Sequence, residues 1–179
     1  TITNGYCTLS EFKAFMQAPG QDVISDAGDD AVIEQIIESV SRFFDGECVR
    51  HFYKNSVDET RYYTATDQSY VRVDDLVSVT ALYTDYGDRT YPNTWAATDF
   101  DLWPYNASTE GRPYVQIIVS PGGGYWFPAG VAKGVKVTGV FGYPSIPAQI
   151  KEATLITGLS AYKRRFGENL SSVSTVTAG

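Results

Sequence analysis

The spacing of apolar residues changes twice along this chain, and that double change constrains the fold more than any other feature. Helical spacing holds to about residue 50, strict alternation runs from about Phe52 to Tyr143, and helical spacing then returns. Helices at both ends with one continuous β block between them define an α+β class. The simplest architecture is a mainly helical body formed by the N- and C-terminal helices, with an inserted antiparallel β-sandwich-like region or small open barrel. The expected parts are 1–50 for the N-terminal helices, 51–143 for the β insertion, 144–170 for the last helix and 171–179 for a flexible tail, one structural domain overall.

Local signals place the elements. In "TLSEFKAFM" Thr8 stands three residues before Glu11, a capping-box pattern, and predicts a short helix from about Ser10 to Gln17, ended by Pro19 and Gly20. In "DDAVIEQIIESVSRFFDG" Ile33, Ile36, Ile37, Val40, Phe43 and Phe44 mark the core face of a second helix, with Glu34, Glu38, Ser41 and Arg42 opposite. Six strands are expected: "TRYYTA", "YVRV", "LVSVTALYT", "TDFDLWP", "YVQIIVS" and "VKVTGVFGY". Asp74 and Asp75 then read as a turn, and "DYGDRTYPN" and "PGGGYWFPAGVAKG" as loops. Pro147 fits the first turn of the third helix with Ser145 as its cap. Apolar residues from Ile150 to Phe166 cover more than half of that helix's circumference, which predicts a second covered face. Lys163, Arg164 and Arg165 suit its C-terminal dipole, and Gly167 its end.

Charge and cysteine content bound the chemistry. A net charge of -7 argues against broad capture of a phosphate backbone. With two cysteines, Cys7 and Cys48, and one histidine, His51, nothing marks a disulfide framework, and a structural zinc site would need an unusual ligand set. A reduced intracellular origin fits the two cysteines, and no apolar run is long enough to span a membrane. "SPGGGYW" lacks the Lys-Ser/Thr of a phosphate loop. Asp99 and Asp101, two apart on an expected strand, could form an acid/base pair of a hydrolase, and exposed alternation explains them equally. Cys48 beside His51 lacks the surroundings of a nucleophile. Trp95, Trp103 and Trp126 could stack on sugar rings in a carbohydrate-binding β-module, or serve as core and interface anchors. No constellation amounts to an active site, and no cofactor or metal is expected.

The phrases "TLSEFKAFM", "DDAVIEQIIESV", "DLVSVTALYTD", "TDFDLWPYN" and "VKVTGVFGYPSIPAQIKEATLITGLSAYKRR" succeed one another over nearly the whole chain. In that order they resemble the head-to-tail connector, or adaptor, proteins of tailed bacteriophages. The last phrase is the most specific, joining Gly139, Gly142, Tyr143, Pro147, Ile150, Lys151 and Ala153 at the family's spacing. The long aromatic and Gly-rich β region, "PGGGYWFPAG" included, departs from the family. The resemblance implies a non-enzymatic virion protein, assembled in the host bacterial cytoplasm and placed in the neck between head and tail. It implies a homo-oligomeric ring, generally twelvefold, that sits below the portal protein and meets a tail or head-completion protein. Double-stranded DNA would pass through its channel without specific binding, and no membrane is involved. A related neck or tail-completion protein is the neighbouring alternative. On this reading Ile156, Leu159, Tyr162 and Phe166 pack against subunits or portal, and Lys163, Arg164 and Arg165 dock on acidic portal surface. Gly139, Gly142, Tyr143, Pro144 and Pro147 form a stiff corner between the β region and the last helix.

Overall fold

A computed structural model describes residues 1–17 and 28–165. Their elements are α1 (Leu9–Phe15), α2 (Asp30–Cys48), β1 (Glu59–Tyr63), β2 (Tyr70–Thr84), β3 (Asn93–Trp95), β4 (Phe100–Trp103), β5 (Tyr114–Val119), β6 (Val135–Phe141) and α3 (Ala148–Arg165). The chain divides into two compact units, Thr1–Val49 with Pro147–Gly179, and Arg50–Ile146. Pro19 and Gly20 as helix terminators, Phe166, Gly167 and the 171–179 tail lie outside the described residues.

In the β unit all strands join one antiparallel sheet in the order β1-β6-β2-β5-β4, with β3 added to β2. The strands therefore form a single sheet of six, not the two facing sheets of a sandwich. The reason lies in β2. "YVRV" and "LVSVTALYT" are one strand of 15 residues, and Asp74 and Asp75 sit inside it rather than in a turn. Register shifts fall between Arg72 and Leu76, between Leu76 and Ser78, and between Val79 and Ala81. Such bulges add twist and bend a strand, so one long strand serves two neighbours, β5 on its first half and β6 on its second. The bent sheet wraps one core of Val71, Leu76, Leu82, Ile117, Val135, Val137 and Phe141, closed by Ala65, Trp95 and Phe127. β6 alternates buried and half-buried residues along its whole length, as its sequence predicts. A second difference is β3, a strand not expected from the sequence, which begins at the last residue of the expected loop after β2 and pairs Leu82 with Trp95 and Thr84 with Asn93.

The helical unit has its own core of Cys7, Phe12, Ile33 and Ile37, with Leu9, Met16, Leu155 and Tyr162 packed against it. The capping box is present: Thr8 Oγ1 accepts the Glu11 N–H at 3.2 Å, and Glu11 Oε2 accepts the Thr8 N–H at 2.8 Å. The segment before α1 lies along α2, held by side chains one helical turn apart. Glu38 accepts the N–H groups of Thr3 and Asn4, Ser41 Oγ accepts that of Tyr6 at 3.0 Å, and the Tyr6 hydroxyl donates to Asp45. This reverses two expectations for α2. Ser41 is fully buried, because it serves that segment and also donates to the Ile37 carbonyl, while Phe43 is 55% exposed. The inward face centres on Ile33, Ile37 and Val40, which leaves Phe43 at its margin.

Candidate interaction surfaces

The third helix packs through its small residues. Thr154 and Gly158 are its buried positions, and a Cβ on Gly158 would stand 2.6 Å from Phe12 Cε2 and 3.6 Å from Ile36 Cγ2. Absence of a side chain there lets α3 approach α1 and α2 closely. Lys151 Nζ donates to Glu11 Oε1 at 2.7 Å, and that contact, with the Thr8 N–H, holds the Glu11 carboxyl below its usual range. The start of the helix departs from expectation: Pro147 precedes the first helical residue, its carbonyl accepting from Ile150 and Lys151 at 3.0 Å, so Ser145 does not cap it.

Around that buried seam the expected contact residues separate into two groups. Tyr162 packs on the helical core and its hydroxyl donates to Asp29 Oδ2 at 2.8 Å, so it is engaged within its own unit. Ile156 points the other way and is 51% exposed. Helical spacing puts Glu152, Ile156, Leu159 and Lys163 on one outward stripe, apolar in the middle with an acid at one end and a base at the other. Among the described residues Lys163, Arg164 and Arg165 make no ion pair. Arg165 lines a cleft of about 290 Å³ with Gln35, Ile36, Ser39, Val40 and Ala161. Sequence periodicity missed a second patch, Phe43 with exposed Glu47 one turn later on α2. The missed signal is Ser41, whose burial rotates Phe43 out.

In the β unit the expected corner is a clasp between the segment that leads into β1 and the end of β6. Asn55 N–H donates to the Phe141 carbonyl at 2.9 Å, and Gly142 N–H to that of Asp75 at 2.8 Å. Gly142 has φ of 107°, and a Cβ there would fall 1.9 Å from the Tyr53 carbonyl oxygen. Gly139 is equally constrained, its Cβ position being 2.1 Å from the Ser78 carbonyl oxygen. The Tyr143 ring lies 5.0 Å from Phe52, and its hydroxyl accepts from Arg50 at 3.0 Å, while Arg50 stands 3.6 Å from Asp75. Pro144 follows half-buried. Burial pushes the Asp75 carboxyl upward against the pull of Arg50 and His51. Next to this clasp Arg61 lies 4.1 Å over the Phe141 ring and reaches Glu59 and Asp74, and Tyr63 also donates to Asp74. The two acids expected in a turn are thus the polar anchors of that end of the core.

The remaining candidates do not come together as expected. Asp99 lies before β4, accepting the Ala96 N–H at 2.7 Å in a turn, whereas Asp101 is exposed on the strand, so they do not form the expected same-face pair on β4. Trp95 is 5% exposed, stacked on Phe127 at 4.6 Å and donating to Thr84 Oγ1. Trp103 and Trp126 are exposed, so the three tryptophans form no common platform. Both cysteines are free; burial, reinforced by Glu11, pushes the Cys7 thiol up to about 11, which keeps it unreactive. Among the described residues no cluster of His, Cys, Asp and Glu is placed to hold a metal, and no helix is long and apolar enough to cross a membrane.

No protein-family model matches the chain, and no curated protein matches its sequence. Two solved structures share its fold. One, described as the neck of an empty GTA particle computed with C6 symmetry, contains a chain aligned with a TM-score of 0.56 at 16% identity, over 88% of this chain and 78% of that one. The other, the virion of a native gene transfer agent particle, contains one with a TM-score of 0.54 at 17% identity, over 91% of this chain and 81% of that one. At such identity the likeness is one of fold.

Proposed function

We propose that this chain is a non-enzymatic structural protein of the neck of a phage-like particle, a connector that assembles as a ring below the portal and lines the DNA channel. The observation that carries this reading is the fold shared, over most of both chains, with a component of a gene transfer agent neck. It agrees with the succession of connector-like phrases from "TLSEFKAFM" to "AYKRR". A twelvefold ring is compatible with a neck treated in sixfold symmetry, since six divides twelve. The outward stripe of α3 provides a surface for assembly, with Ile156 and Leu159 as its apolar centre and Lys163 as its basic end, and Arg164 and Arg165 add positive charge on the neighbouring sides of the same last turn. Tyr162 positions that helix from within. A net charge of -7 suits a channel past which DNA slides without being held. Sizing the purified protein by native mass spectrometry and electron microscopy, alone and with portal rings, tests the reading. A closed ring or a portal-bound ring is expected; a monomer that never binds portal overturns it.

A further inference from the structure

A cyclic ring repeats one head-to-tail contact, so each subunit must offer two different complementary surfaces. Among the exposed apolar side chains of the helical unit, two lie on the long helices: Ile156 on α3, with half-buried Leu159 and then Lys163 further along the same stripe, and Phe43 on α2, followed by exposed Glu47. Phe43 precedes Glu47 by four residues, and Leu159 precedes Lys163 by four. Two helices laid side by side in the same direction therefore set Phe43 on Leu159 and Glu47 on Lys163 together, apolar on apolar and acid on base. Neither Glu47 nor Lys163 has an ion pair among the described residues.

We infer that α3 of one copy seats on the C-terminal half of α2 of the next copy, and that this contact, which rests on the ring reading above, closes the ring. The occupant of each patch is a second copy of this chain. In a Cys48→Ser background, Phe43→Cys combined with Leu159→Cys should, on mild oxidation of the full chain with and without portal rings, give a ladder of dimers, trimers and larger species. Either cysteine alone should give no ladder. Glu47→Lys and Lys163→Glu should each raise the concentration for half-assembly about fivefold or more, and the two together should restore it to within about twofold. Rings that form without the ladder and ignore both charge changes overturn this contact and leave the ring reading standing. Dimers from Leu159→Cys alone also overturn it, because they mark self-pairing of α3 with α3 of a second copy. Absence of any assembly, alone or on portal, overturns both.

Discussion

Gly142 shows how much one residue can decide. Its positive φ and the 1.9 Å approach of a Cβ to the Tyr53 carbonyl leave no room for a side chain. Gly142→Ala should cost about 2 kcal/mol or more in urea unfolding, whereas Gly122→Ala, with open space around it, should stay within about 0.5 kcal/mol. The glycine was legible as a corner in "VFGYPSIP"; its reason was not, since the segment crossing it at Tyr53 lies some ninety residues upstream in sequence. Asp85 was not singled out at all. It is buried and accepts the N–H groups of Gly87, Thr90 and Tyr91 at 2.6, 2.9 and 3.1 Å. Burial disfavours its charge, but the N–H groups of Arg89, Tyr91 and Gly87 outweigh that and hold the carboxyl well below the usual range. A depressed folded-state pKa stabilises the protein fully above the ordinary carboxylate range near pH 4, and the contribution is lost as pH falls below it. Asp85→Asn should therefore lower stability at neutral pH and flatten the acid limb of the stability profile, measured by urea unfolding between pH 7 and pH 2.

At the scale of elements, the sequence distinguished helix from strand by period and left the inward direction of each helix open. α3 carries large apolar residues around much of its circumference, yet the closest contacts are made by Thr154 and Gly158, because small residues let helices approach. Hydrophobicity does not announce such a seam. Ile156→Ser should change the stability of the isolated chain by no more than about 0.5 kcal/mol, while Leu155→Ser, one position away and packed on the helical core, should cost about 1–2 kcal/mol in the same unfolding assay. β2 was misread for a different reason. Two adjacent acids inside an alternating run look like a turn, and their partners, Arg61 and Tyr63 for Asp74 and Arg50 for Asp75, come from elsewhere in the chain. Local pattern reports the need for a partner without naming it.

For the whole molecule, the order helix, β block, helix was legible because each period persists over many residues, and the proposed assembly surfaces were legible only in part. α3 was marked by apolar excess; the α2 patch became visible once Ser41 was seen to be buried. Charge acts at this scale too. With a net charge of -7, the protein should not retard a duplex in a mobility-shift assay at about 0.15 M salt, and retention there would count against a channel that lets DNA slide. The β unit has a core of its own, so residues 50–146 expressed alone should give a dispersed amide spectrum and a cooperative unfolding transition. Its two ends are clasped side by side, with Asn55 bonded to Phe141 and Gly142 pressed on Tyr53. A module whose first and last strands are already joined behaves like a cassette. It can be lengthened, exchanged for another with adjoining ends, or traded between lineages without re-registering the helices that flank it.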